Sequence, residues 1–190
     1  MATGVVPEEF PPPFDEASLI AEPTDPEDER IEVGVAIVGG GPAGLACANR
    51  LLDLLEGEPE LMERLGEVPV AVVEKGKVCG AHLLSGANMV PSAIQELYPD
   101  EGPDDWPIYQ EVEDDAVMLL TKKRALPLVP MPPNFRNHGN YTISVSKLGR
   151  FLAERAEEAG AYILTETTAD KLLVEGSSTS SLSAVVSVRM

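Results

Sequence analysis

Val33-Gly-Val-Ala-Ile-Val-Gly39-Gly-Gly-Pro-Ala-Gly44 decides how this chain is read. Its first six residues are short, nearly all apolar and rich in β-branched side chains, and glycine bounds them. That pattern predicts a buried strand of a parallel sheet. Gly39, Gly41 and Gly44 then supply G-x-G-x-x-G, and each glycine has its own task. The first permits the tight turn off the strand, the second lets a pyrophosphate approach the backbone, and the third lets the next helix pack closely on the sheet. Pro42 fits the first turn of that helix, where its missing N–H costs nothing. Leu45, Ala48, Leu51, Leu52 and Leu55 recur at helical spacing and predict its buried face, and Gly57 with Pro59 ends or bends it. The N–H groups at the helix start, with their dipole, suit phosphate charge.

Val68–Val73 reads as a second buried strand, so the opening is β–α–β with a long connection. The strand ends at Glu74, where an acid can accept hydrogen bonds from both hydroxyls of a ribose. The usual spacing is about 20 residues beyond the motif; here it is 30, and the helix–turn stretch 57–67 absorbs the excess. Dinucleotide binding follows from this unit. It does not separate FAD from NAD, since both use it.

The chain has 190 residues, 20.3 kDa, room for about one domain or one domain and an incomplete second. It is 44% hydrophobic, so most of it should fold around a core, but 32 acids oppose 14 Lys and Arg for a net charge of −18. That balance argues against nucleic acid and anionic lipid as electrostatic partners. Cys47 and Cys79, the two cysteines, cannot build a disulfide framework, and this chain alone cannot make a four-cysteine zinc site or iron–sulfur cluster. No apolar run approaches the about 20 residues that span a bilayer. MATGVVPEEF has the pattern of neither a signal nor a transit peptide. The expectation is a cytoplasmic protein, soluble or peripheral on the inner face of the membrane. Residues 1–30 hold nine acids, one base and six prolines and read as an acidic, disordered leader. Residues 31–175 read as the folded domain, with an irregular insertion at 76–140. Residues 176–190 read as a low-complexity tail or truncated strand.

Within the insertion, Pro91 and Ser92 open a short helix with Ile94, Leu97 and Tyr98 inward, and residues 100–115 read as acidic turns. Ala116–Leu120 and Ala125–Val129 flank Thr121-Lys-Lys-Arg124, which predicts an antiparallel hairpin with a basic tip. Tyr141–Val145 is a further strand. Ser146 is the predicted cap of a helix running to Ala159, with Gly160 at its C-terminal end. Ala161–Leu164 reads as a third parallel strand, and Ala169–Val174 as the start of a meander.

Three separated stretches carry a resemblance. Gly-Gly-Gly-Pro-Ala-Gly-Leu followed by Val-Glu-Lys resembles the N-terminal FAD site of glutathione-reductase-type flavoproteins. Gly80-Ala-His-Leu-Leu-Ser-Gly-Ala87 and Asn137-His-Gly-Asn-Tyr141 narrow it to electron transfer flavoprotein–ubiquinone oxidoreductases and their bacterial FixC-like relatives, from about Val33 to about Val174. The implied fold is α/β, a Rossmann-like FAD-binding unit with an inserted antiparallel hairpin region, incomplete at its C-terminal side. The implied enzyme is membrane-peripheral, carries FAD and one [4Fe–4S] cluster, and passes electrons from reduced electron transfer flavoprotein to ubiquinone. No side chain need act as a nucleophile or base. Carried to matching positions, Gly39, Gly41 and Gly44 cradle the FAD pyrophosphate, Glu74 holds the adenosine ribose, and His82, Ser85 and Gly86 lie near the cofactor. Gly40, Pro42, Ala43 and Lys75 complete the candidate set. Ser144 stands where many relatives are expected to carry arginine.

The resemblance also implies a membrane-dipping stretch around 80–98, for which Ala81, Leu83, Leu84, Ala87, Met89, Val90, Ile94 and Leu97 supply apolar area; core packing is the competing account. It places the quinone site, the second FAD sequence and the cluster cysteines beyond Met190, so the chain is expected to be an N-terminal portion without turnover. A stand-alone FAD- or ADP-binding module of a split enzyme, and a geranylgeranyl-reductase-like flavoenzyme, are the alternatives. Among the remaining residues, His138 and Trp106 read as structural anchors, Cys47 as a small packing residue, and Cys79 as a buried, inert thiol.

Overall fold

The computed structural model describes residues 20–21, 31–174 and 184–189. They divide between two compact units, Glu32–Glu166 and a second that combines Met1–Ile31 with Thr167–Met190.

In the larger unit, β2 (Val35–Val38), β3 (Val70–Val73) and β9 (Tyr162–Leu164) form a parallel sheet in the order β2-β3-β9. Val35 pairs with Val70 and Val73 with Leu164, so β3 is central, and all four of its residues are buried. Helix α1 (Pro42–Glu56) and α2 (Pro59–Arg64) make the long crossover between β2 and β3. Leu45, Ala48, Leu52 and Leu55 are buried along α1 at the predicted spacing, and Leu51 packs at the margin of the core. Each of the three buried leucines is worth about 1.5–3 kcal/mol. Cys47, expected inside, is exposed: it falls on the opposite face of α1, a turn's fraction away from Ala48.

Helix α4 (Val145–Glu158) packs beside α1 and contributes Leu152, Ala153 and Ala156 to the same core. Asn49, a buried polar residue on α1, donates from Nδ2 to Leu45 O and Leu152 O, both at 2.8 Å, and so ties the helices together. The cap of α4 is Ser144, not Ser146: the chain leaves the strand β8 (Tyr141–Ser144) in extended conformation at Ser144, whose Oγ accepts the Lys147 N–H. Ser146 lies inside the first turn, and its Oγ donates to Gly80 O instead (2.7 Å). At the other end Gly160 takes φ +99°, and its N–H and that of Ala161 return to Glu157 O and Ala156 O, which closes the last turn.

The stretch 76–140 is more regular than its sequence implies. β4 (Ser85–Met89), β5 (Ile108–Glu111) and β8 (Tyr141–Ser144) form an antiparallel sheet in the order β4-β8-β5. β4 and β5 escape a pattern reading: Ser-Gly-Ala-Asn-Met has no β-branched residue, and Ile-Tyr-Gln-Glu sits within an acidic run. β6 (Met118–Leu120) and β7 (Ala125–Pro127) form the predicted hairpin. Its base is fixed where Asp115 accepts the Asn137 N–H (2.6 Å) and a His138 ring nitrogen lies 2.7 Å from Glu113 O, the structural role expected of His138. Trp106 is buried edge-on against Tyr141, the anchor it was expected to be.

Helix α3 (Ser92–Leu97) buries Ile94 and delivers Tyr98 to Phe151 and Arg155 of α4; Arg155 also pairs with Glu101 at 2.7 Å. The Tyr98 hydroxyl is buried without a hydrogen-bond partner in the structure, and burial pushes its pKa up to about 12, against a partial lowering by Arg155. The unfolded chain ionises near pH ~10 while the folded one holds its proton, so this contribution to stability is complete below about pH 10 and is lost between about 10 and 12. Tyr98→Phe is expected to leave the melting temperature at pH 7 unchanged or higher and to flatten its fall above pH 10, measured by thermal denaturation across pH. An equally steep alkaline fall in the variant would contradict this.

In the smaller unit, β1 (Ile20–Ala21) pairs in parallel with β10 (Thr168–Val174), and β10 pairs antiparallel with β11 (Ala184–Arg189). The rest of the acidic leader, and residues 175–183 and 190, lie outside the described residues. Among the described residues no helix is long and apolar enough to cross a membrane.

Candidate functional site

Where β2 ends, Gly39 turns the chain with φ +106°, a conformation that a side chain resists, and its N–H donates to Val73 O (2.8 Å). Gly41 caps α1 in extended conformation and its carbonyl accepts the Leu45 N–H (2.9 Å). No side chain caps this helix end, and no acid occupies its first turn. Ala43 and Gly44 lie in the first turn, where backbone N–H groups have no partner within the helix, a geometry that suits an anion. The two remaining motif glycines differ sharply. A Cβ on Gly44 would lie 2.1 Å from Gly39 O, so helix and turn touch there; a Cβ on Gly41 would meet nothing within 4 Å. The first glycine is required by the fold, whereas the space beside the second is open.

Glu74 follows β3 directly, and its N–H donates to Leu164 O of β9 (2.8 Å), which fixes the backbone at the strand end. Its carboxylate is 13% exposed. Oε2 accepts the Gly40 N–H at 2.9 Å and Oε1 the Gly76 N–H at 2.6 Å. An ionised carboxylate offers about four acceptor positions, so two remain after these bonds. The glycine loop and the acid are thus one hydrogen-bonded unit, although 34 residues separate Gly40 from Glu74. Gly76 O in turn accepts the Glu166 N–H (2.9 Å), with Glu166 at φ +53°.

Gly39, Gly40, Gly41, Pro42, Ala43, Gly44 and Glu74 therefore come together as the sequence predicts. His82 joins them at the edge: Nδ1 lies 3.8 Å from Glu74 Oε1, and the side chain is mostly exposed. Lys75 is exposed beside the acid. Ser85 and Gly86 lie on β4, where Ser85 Oγ donates to Ser144 Oγ (3.3 Å) and Gly86 borders a shallow hollow with Tyr109 and Thr142. Three contributors are not among the predicted site residues. Gly76 and Glu166 act through backbone N–H groups, which any residue type supplies. Cys79 is buried under Gly40, and burial, followed by the charge of Glu74, pushes its thiol pKa up, which keeps it protonated and inert. Among the described residues no group of three or more His, Cys, Asp or Glu converges to hold a metal ion.

A parallel β–α–β unit, a glycine turn at a helix N-terminus and a strand-end acid define a Rossmann-like dinucleotide-binding fold. Sequence comparison then gives the particular relatives. The chain is 40% identical over 149 residues to the mitochondrial electron transfer flavoprotein–ubiquinone oxidoreductase of Dictyostelium discoideum, which covers 78% of this chain and 23% of that protein. It is 40% identical over 141 residues to the one from Caenorhabditis elegans (73% and 22%), and 39% identical over 152 residues to the Pseudomonas aeruginosa protein (78% and 26%). Over about three quarters of its length the chain is similar to the N-terminal part of electron transfer flavoprotein–ubiquinone oxidoreductases. It spans about a quarter of the length of these relatives. No protein-family model matches it. Solved structures similar to it include a geranylgeranyl bacteriochlorophyll reductase-like protein from Thermoplasma acidophilum (TM-score 0.48, 20% identity, 78% of this chain and 34% of that one) and CtdE in complex with FAD (TM-score 0.45, 17% identity, 82% and 35%).

Proposed function

We propose that the chain supplies the adenosine-diphosphate half of an FAD site of glutathione-reductase type, in an oxidoreductase that passes electrons from reduced electron transfer flavoprotein to ubiquinone. The observation that carries the cofactor reading is the hydrogen bond between the glycine loop and Glu74: it holds the turn and the carboxylate at a fixed separation, as a phosphate cradle and a ribose acceptor require. The residues fit the group. Gly41 leaves open the space a pyrophosphate needs, Ala43 and Gly44 offer donors toward it, and Glu74 keeps two acceptor positions for the ribose. FAD, when bound, supplies the electron-accepting chemistry; the residues here bind and orient it. The donor and acceptor rest on the relatives' names alone. The [4Fe–4S] cluster that the resemblance implies does not fit this chain's two cysteines.

Titration of the purified protein with FAD, followed by flavin fluorescence and visible absorbance, tests the cofactor. ADP is expected to compete with FAD at comparable concentration, because the contacts lie at the ADP end. A protein that binds neither at millimolar concentration would sink the reading.

Membrane-surface contact is proposed at the β6–β7 hairpin in addition to residues 80–98, where Leu84 and Val90 are exposed. In that stretch Ile94 is buried and Leu97 packs on the core, so part of its apolar area is spent inside. The β6–β7 hairpin instead presents Met118, Leu119, Leu120, Leu126, Leu128 and Val129 to solvent, with Lys122, Lys123 and Arg124 at its turn. A local apolar surface with basic residues suits an anionic interface although the whole chain is acidic.

A further inference from the structure

Gly40, the residue between the first two motif glycines, is not required by the G-x-G-x-x-G pattern, yet this chain leaves it no room for a side chain. A Cβ there would lie 2.7 Å from Cys79 Sγ, 3.0 Å from Glu74 Cβ and 3.1 Å from Glu74 Oε2, whereas non-bonded carbon atoms settle at about 3.5–4.0 Å. Cys79 has little freedom to retreat. It is buried in the core that holds Leu45 and Leu152. The next residue is fastened as well: Gly80 O accepts the Ser146 hydroxyl at 2.7 Å, and a Cβ on Gly80 would lie 2.5 Å from Ser146 O. The sulfur therefore forms a fixed floor under Gly40, whose N–H donates to Glu74 Oε2 at 2.9 Å. Burial keeps the thiol neutral, so it brings no second charge to the acid.

We infer that Cys79 is a positioning residue for the ribose acid: with Gly40 it forms a size-matched pair that sets the height of the glycine loop over Glu74 and aims the carboxylate at the ribose. The inference rests on the dinucleotide reading and adds to it a residue that touches no ligand.

The test pairs Gly40→Ala and Cys79→Ala with the double variant and reads discrimination between ADP and 2′-deoxy-ADP, which differ at a hydroxyl that Glu74 would hold. The parent is expected to prefer ADP about tenfold, the value of one such hydrogen bond. Gly40→Ala should reduce the preference to under about threefold, and Gly40→Ala with Cys79→Ala should restore part of it, since removal of the sulfur relieves the tightest of the three contacts and leaves those with Glu74 at 3.0 and 3.1 Å. A merely structural role would move melting temperatures and leave this ratio alone. A ratio unchanged in Gly40→Ala, or unrestored in a double variant with native circular dichroism, overturns the inference.

Amide exchange at residue 40, measured without ligand, gives a second and independent outcome. Protection should fall at least about fivefold in Gly40→Ala and, by a smaller factor, in the milder Cys79→Ala, and recover in the double variant. Failure to follow that order overturns the inference even if ADP binds. If the parent binds no ADP, the dinucleotide reading fails by itself, and the exchange series still decides whether Cys79 and Gly40 are coupled to Glu74.

Discussion

Gly41→Ala is expected to fold as the parent does and lose the dinucleotide, whereas Gly44→Ala should lose stability and the dinucleotide together. At Gly41 the backbone is extended, φ −85° and ψ 175°, and the new methyl meets no atom within 4 Å. Stability should change by less than about 1 kcal/mol, with a small gain from the stiffer unfolded chain. The methyl instead occupies the approach of the pyrophosphate. Forfeiting two charge-assisted hydrogen bonds at about 1.5–3 kcal/mol each lowers FAD or ADP affinity at least about a hundredfold. At Gly44 the obstacle is Gly39 O at 2.1 Å, with the Ile37 side chain at 3.2 Å. Backbone cannot swing aside as a side chain does, so α1 must lift from the turn, at a cost of about 3 kcal/mol and a fall in Tm on the order of 10 °C. Calorimetry and ligand titration on both variants separate the cases. A Gly41→Ala protein that binds as tightly as the parent would refute the pyrophosphate position.

The double substitution Leu120→Asp and Val129→Asp should abolish vesicle binding without unfolding the protein. These side chains are 74% and 81% exposed in the described structure, so the folded state has little to lose from their replacement. Burial of a leucine or valine in an apolar medium is worth about 1.5–3 kcal/mol. Loss of both, with two carboxylates added, should weaken partition onto vesicles of phosphatidylcholine with phosphatidylserine more than about thirtyfold. Lys122→Gln with Lys123→Gln should cost less, about 1 kcal/mol per charge, and only on the anionic vesicles. Equal binding of parent and Leu120→Asp/Val129→Asp protein in co-sedimentation would remove the hairpin from consideration and return attention to Leu84 and Val90, the exposed apolar residues near β4.

Much of the site was legible because its chemistry depends on residue type. The turn at Gly39 needs positive φ and the contact at Gly44 needs a missing side chain, so glycine marks both in any chain that uses them. Glu74 is legible for a different reason: the strand before it is apolar and unambiguous, and an acid at its end stands out. The resemblance puts His82 near the cofactor, and in the structure its Nδ1 lies 3.8 Å from Glu74 Oε1. The residues that hold Glu74 in place were not legible. Gly76 and Glu166 contribute backbone N–H groups, and Cys79 contributes its volume, properties that carry no sequence signature. The cap of α4 shows the same boundary on a smaller scale. Ser144 and Ser146 are chemically equal candidates, and the end of β8 decides between them, since only Ser144 has the extended backbone that turns its oxygen toward the Lys147 N–H.

By itself the sequence determined the β–α–β unit, the buried stripe of α1, the glycine turn at its N-terminus and the strand-end acid, all of them local patterns in which a few consecutive residues state a backbone geometry. Tertiary structure alone decided that the loop donates to the acid, that Asn49 bridges α1 to Leu152, and that β4, β8 and β5 form a sheet. It also decided that the apolar residues of the β6–β7 hairpin face solvent while Ile94 does not. Those outcomes depend on which distant segments meet, and hydrophobicity names what can be buried without naming what will cover it.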